Sequence, residues 1–157
     1  MKHALALAFV AVLRAQNLNI AGDVATPLTL TKADLAKMPR TSVTVKAEGE
    51  DGVESKYEGV LLYDILKQAG APLDKQLMGK ALASYILAEA RDGYQVLYGL
   101  AEIDPSFGAN KIIVADTVNG KPLFEYQGPF RLVVPGDKKG ARSIRMLEKI
   151  SVVRLRK

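Results

Sequence analysis

The chain has 157 residues, enough for one domain with its own hydrophobic core. It carries 22 Lys and Arg against 17 Asp and Glu, has no cysteine, and has one histidine, His3. Disulfides and thiolate nucleophiles are excluded, and beyond residue 3 so are histidine general bases and every Cys/His zinc or iron site.

Taken in order, Met1-Lys2-His3 is a basic start, Ala4–Leu13 is ten uncharged apolar residues, and Ala15 is a small residue before Gln16. That is the pattern of a secretory signal peptide, and ten apolar residues are too few to span a bilayer. We therefore read residues 1–15 as a signal peptide, residues 16–157 as one domain, and the destination as the periplasm or the exterior. A buried N-terminal strand or helix is the rival reading. No membrane span is expected in the mature chain.

Leu18–Gly22 and Pro27–Leu30 read as short strands. Thr31, with Asp34 three residues on, reads as a helix start, and Pro39 stops that helix near Met38. Thr41–Glu48 and Val53–Tyr57 read as strands joined by a turn at Glu50-Asp51-Gly52. From Val60 to Gly70 the apolar residues Leu62, Ile65, Leu66 and Ala69 recur at helical spacing, and Gly70 suits the C-terminal cap. Ser84–Glu89 and Tyr94–Gly99 alternate as strands about the turn Arg91-Asp92-Gly93, and Leu100–Asp104 is one helical turn before Pro105. Lys111–Val118 is a strand with Ile112 and Val114 on one face and Ile113 and Ala115 on the other, followed by a turn at Asn119-Gly120. The last strand is expected over Ile150–Leu155.

Between them lies the most informative stretch. Arg131–Val134 is an apolar run ended by Pro135-Gly136, so it reads as a buried strand stopped by a turn. A polar loop follows, rich in Gly and Lys. Arg131, Lys138, Lys139, Arg142 and Arg145, with Gly140 among them, suit capture of an anion, above all a phosphate. From Arg131 to the end there are nine basic and two acidic residues. This is either a solvated basic tail or an electropositive face for an anionic partner. Nucleic acid is not the expected partner. No aromatic residue follows Phe130 to stack on bases, and no helix there is long enough to read a groove. Hairpins outnumber helices, and no strand–helix–strand repeat occurs. The fold class expected is α+β, mixed, with largely antiparallel small sheets and short helices.

Four segments match one family pattern in one order: YEGVLLYDILKQAG (57–70), ARDGYQVLYGLAEIDPSF (90–107), VNGKPL (118–123) and GPFRLVVPGDKKGARSIRMLEKISV (128–152). Together they resemble the oxidoreductase molybdopterin-binding domain, the central domain of sulfite oxidase and its bacterial relatives. The resemblance implies a mixed α+β fold and a pterin cofactor carrying a dithiolene and a phosphate. It implies cofactor contacts for Arg131 and for the loop with Gly140, Arg142 and Arg145. An acidic residue near the second hairpin also contacts the cofactor in that family, which adds Asp92 and Tyr94. Turn chemistry alone also accounts for Asp92-Gly93.

Two departures bear on activity. The family's molybdenum-ligating cysteine falls where this chain reads Ala47-Glu48-Gly49, and no metal ligand is expected from the protein, Glu48 and Glu50 being solvated hairpin carboxylates on the simpler reading. The sulfite oxidases carry a histidine before the arginine that matches Arg131, where this chain has Tyr126-Gln127-Gly128-Pro129-Phe130. The expectation is an exported domain holding molybdopterin, or another phosphorylated ligand, in a basic pocket, as a binding module of a redox system. Its partners would be an anionic small molecule or a redox protein. Two rivals stay open. One is a molybdopterin-dependent oxidoreductase with a non-cysteine metal site; the other is a non-catalytic protein-interaction domain.

Overall fold

The computed structural model describes residues 16–46 and 52–155. The proposed leader, Ala47, Glu48 and the turn residues Glu50 and Asp51 lie outside the described residues. Ten strands and three α-helices follow in chain order. They are β1 (Leu18–Gly22), β2 (Leu28–Leu30), α1 (Lys32–Lys37), β3 (Arg40–Lys46), β4 (Glu54–Leu61), α2 (Leu62–Gln68), β5 (Tyr85–Ala90), β6 (Gln95–Gly99), α3 (Leu100–Ile103), β7 (Ile113–Val118), β8 (Lys121–Pro122), β9 (Arg131–Val133) and β10 (Leu147–Val153).

The strands form two five-stranded sheets. The first runs β2-β1-β10-β5-β6, and the second runs β3-β4-β7-β8, with β9 also paired to β7. Every described pair is antiparallel except β1–β10, which sets Asn19 opposite Lys149 and Ile20 opposite Ile150. The fold is thus the expected mixed α+β class, with two larger sheets where several small ones were anticipated. The parallel pairing joins the first and last strands, and such long-range partners leave no mark in the alternation of either strand.

Local chemistry explains most boundaries. Thr31 caps α1: its hydroxyl accepts from the Asp34 amide at 3.1 Å, and the Asp34 carboxylate accepts from the Thr31 amide at 2.9 Å. Helix α2 buries Leu62, Ile65, Leu66 and Ala69, each fully excluded from solvent. Burying one leucine or isoleucine side chain stabilises by roughly 1.5–3 kcal/mol. This stripe is why so short a helix persists. The helix begins at Leu62 rather than Val60, because Val60 and Leu61 pair with Val114 and Ile113 as the end of β4. The final strand begins at Leu147 rather than Ile150, since Leu147 pairs with Ala90.

Strand β7 is buried on both faces. Ile112 and Val114 belong to the main core with α2 and the first sheet's inner residues, while Ile113 and Ala115 pack into a smaller cluster with Val43, Tyr57, Leu123 and Val133. The strand therefore anchors its neighbours β4 and β9 rigidly. At Gly59 the β4–β7 register shifts, and an added Cβ would lie 2.0 Å from the Val114 carbonyl oxygen. Only glycine lets the two backbones close on one another there.

Candidate functional site

A cavity of about 920 Å³ is lined from both sheets. Seven of the eight candidate residues line it: Arg131, Lys138, Lys139, Gly140, Arg145, Asp92 and Tyr94. Arg142 does not.

Arg131 sits on β9 opposite Ala115 of β7. Its guanidinium lies over the Tyr57 ring of β4, 5.0 Å from the centroid, and Nη1 donates to the Tyr57 hydroxyl at 2.9 Å and to Gln127 Oε1 at 3.0 Å. Its Nε is buried and donates to nothing. Among the described residues no carboxylate lies within ion-pair distance of Arg131. Burial pushes its pKa down, the Tyr57 hydroxyl partly offsets this, and the charge of Arg145 adds to the downward push. An arginine drawn into an apolar sheet requires a counter-charge, and none of the described residues supplies one.

The other cations stand around the opening. Arg145 is exposed, with its Cζ 5.9 Å from the Tyr126 ring. Lys138 and Lys139 are exposed and make no ion pair among the described residues. A Cβ at Gly140 would meet nothing within 4 Å, so protein packing does not demand that glycine.

Arg142 departs from its expected role. Its Nε and Nη2 donate to the two oxygens of Asp137 at 2.8 and 2.9 Å, and its Nη1 donates to Glu102 Oε1 at 2.9 Å. Its guanidinium lies 5.0 Å from the Tyr98 ring centroid. These carboxylate bonds raise its pKa and already balance its charge. Asp137 separates Arg142 from the cavity, because the short loop after Pro135 turns back on itself and closes the pair locally.

Asp92 and Tyr94 line the cavity but are also bound within the protein. Asp92 Oδ1 accepts from the Tyr94 amide at 3.0 Å, the turn geometry that an Asp-Gly pair favours, and Gly93 has φ 88°. The Tyr94 hydroxyl donates to the Ala141 carbonyl at 2.9 Å, and the buried Tyr98 hydroxyl donates to the Arg142 carbonyl. Burial pushes the Tyr98 phenol well up, so it stays a donor at every ordinary pH. Tyr98 of β6 and Tyr94 just before that strand thus fasten the basic loop.

Sequence reasoning did not assign Tyr57, Gln127 and Tyr126 to the cavity. The usable signal for Tyr57 was the demand of Arg131 itself, which needs a polar group on a neighbouring strand. Among the described residues no group of three or more His, Cys, Asp or Glu is placed to hold a metal ion.

The family model of the oxidoreductase molybdopterin binding domain matches residues 10–157. The chain belongs to this family. Among solved structures, this molybdopterin-binding-family domain is similar in fold to the sulfane dehydrogenase SoxCD from Paracoccus pantotrophus, with a TM-score of 0.70 and 24% identity. The match covers 91% of this chain and 40% of that one, so the domain spans less than half of its structural neighbour. No curated protein sequence matches. The cavity suits the anionic end of the family's cofactor, because Arg131, which has no carboxylate partner among the described residues, and three further cations line it. For the metal end the chain has no thiolate at all.

Proposed function

We propose that this domain is an exported binding module that holds a pterin-type or other phosphorylated ligand in its basic cavity, in the service of a redox system. The observation that carries the reading is Arg131. Its guanidinium is half-buried, stacked on Tyr57, without a carboxylate among the described residues, and with one N–H group bound to nothing. A phosphate in the cavity would supply the missing charge beside the guanidinium. Lys138, Lys139 and Arg145 around the same cavity add attraction for a ligand with more than one negative charge. Membership of the molybdopterin-binding family supports a pterin as the organic part. A cavity of about 920 Å³ falls in the range of small-molecule sites, well beyond what one phosphate needs. Export rests on the apolar run before Arg14.

The test is to express the full chain in a host that makes the cofactor, recover it from the periplasm, and measure bound molybdenum and oxidised-pterin fluorescence together. Pterin without metal is the expected result and supports a binding module. Pterin with molybdenum would move the reading to an oxidoreductase whose metal is held without cysteine. Neither would leave another phosphorylated ligand or a protein-interaction domain. Mass spectrometry of the recovered protein checks export, with a mature chain beginning near Gln16 expected and an intact residue 1 contradicting it.

A further inference from the structure

We infer that Arg142 is a positioning residue: it fixes the arc Lys138–Gly140 at the cavity by clamping Asp137 and Glu102, and does not itself touch the ligand. The inference rests on the ligand-binding reading above and adds how the site is held in shape. The segment from Gly136 to Arg145 is a connection with one turn of 3₁₀ helix at Gly140–Arg142. A loop carrying two exposed lysines and two glycines would by itself sample many conformations, and ordering it on binding would weaken affinity. The structure shows how this is prevented. Arg142 grips Asp137, at the start of the arc, with two parallel bonds, and grips Glu102 on α3 with a third. Glu102 is itself fixed, since its other oxygen accepts from the Gly99 amide at 2.9 Å. Tyr94, just before β6, and Tyr98 of β6 hold the carbonyls of residues 141 and 142, and the Ser143 hydroxyl accepts from the Val134 amide at 3.1 Å. The arc is thereby tied to the first sheet at one end and to β9 at the other. The guanidinium faces carboxylates, not the cavity, so its contribution to binding is geometric.

A direct contact and a positioning residue differ in salt dependence. Removing a cation that faces the ligand weakens binding and flattens its dependence on ionic strength, because one attractive charge is gone. Removing Arg142 together with the Asp137 charge, as in the double variant, removes the clamp at constant net charge, so it should weaken binding at every salt concentration and leave the slope unchanged. The experiment is calorimetric titration of the full chain with inorganic pyrophosphate over a series of sodium chloride concentrations. The proteins compared are wild type, Lys139→Ala, Arg142→Ala, Arg142→Lys, Asp137→Asn and the double variant Asp137→Asn with Arg142→Ala. Misplacement of binding groups by about an ångström weakens interaction by up to roughly a hundredfold. Arg142→Ala should weaken binding roughly ten- to a hundredfold, the double variant should weaken it with the wild-type slope, and Lys139→Ala should flatten the slope. Arg142→Lys should restore affinity only in part, since an ammonium cannot make the paired bonds to Asp137. Asp137→Asn should reproduce the loss, and the double variant should be no worse than either single one. Asp137→Asn keeps the arginine and serves if Arg142→Ala does not fold. Unchanged affinity in Arg142→Ala, or a slope flattened in the double variant as in Lys139→Ala, overturns the inference. Additive losses in the double variant overturn it as well. If the wild type itself binds no pyrophosphate, the ligand-binding reading falls and this inference falls with it.

Discussion

At the scale of single residues, Arg40 and Arg131 are arginines with opposite settings. Arg40 has a matched partner: its Nη1 and Nη2 donate to the two oxygens of Asp116 at 2.8 and 2.6 Å, and the Thr117 hydroxyl donates to Asp116 as well. Arg131 has a tyrosine hydroxyl, an amide oxygen and an orphaned Nε. The two should respond differently to mutation. Asp116 is 7% exposed, and Asp116→Asn leaves Arg40 beside a neutral group, at a cost of about 1–3 kcal/mol in chemical denaturation, the partial exposure of Arg40 limiting the loss. Arg131→Met removes an unbalanced charge while keeping a stem that packs on Tyr57, so its stability without ligand should stay within about 1 kcal/mol of wild type or rise. A loss well beyond that would make Arg131 a structural residue. Asp116 also sets a pH dependence. Burial raises its pKa, but the bonds from Arg40 and Thr117 outweigh this and the net shift is downward. A carboxylate lowered on folding contributes stability that is present above its unfolded pKa, near 3.8, and is lost as pH falls through the lower folded value. Thermal melts of the wild type should therefore decline below about pH 4, and Asp116→Asn should show a shallower decline over the same window.

At the scale of elements, the sequence was most legible where one residue's chemistry decides the matter. The Thr31–Asp34 cap, the α2 stripe and the two-faced β7 strand needed only spacing and side-chain type to be read. The bulge at Gly59 was not legible, because its cause is a backbone contact between β4 and β7. It yields a sharp prediction. Gly59→Ala places a methyl 2.0 Å from the Val114 carbonyl oxygen, so the β4–β7 ladder must part locally, with a loss of about 3 kcal/mol or more in equilibrium denaturation. A loss under about 1 kcal/mol would mean the two strands separate easily and do not hold β9 rigidly. The candidate site was legible by the same rule. Cations clustered around a turn could be read as an anion site, but Arg142 could not be told from its neighbours. Whether a loop arginine faces a ligand or a nearby aspartate depends on how a short connection folds back, and Asp137 five residues earlier was no clearer a partner than solvent.

At the scale of the whole molecule, the two sheets present their loops to one cavity. The first contributes the β5–β6 turn and the second contributes Tyr57 and Arg131. The basic C-terminal stretch from Arg131 onward is thus no solvated tail alone. Its cations from Arg131 to Arg145 converge, apart from Arg142, on a concave surface. Fold and family came from four dispersed segments in order, whereas the proposed use of the cavity rests on one residue whose hydrogen-bonding capacity is left incomplete among the described residues. The measurement that tests this most directly is oxidised-pterin fluorescence per chain in wild type and in Arg131→Met, both folded and both purified from a cofactor-producing host. The account predicts a clear pterin signal in the wild type and its loss in the variant at unchanged thermal stability. Equal signal in the two proteins would contradict it.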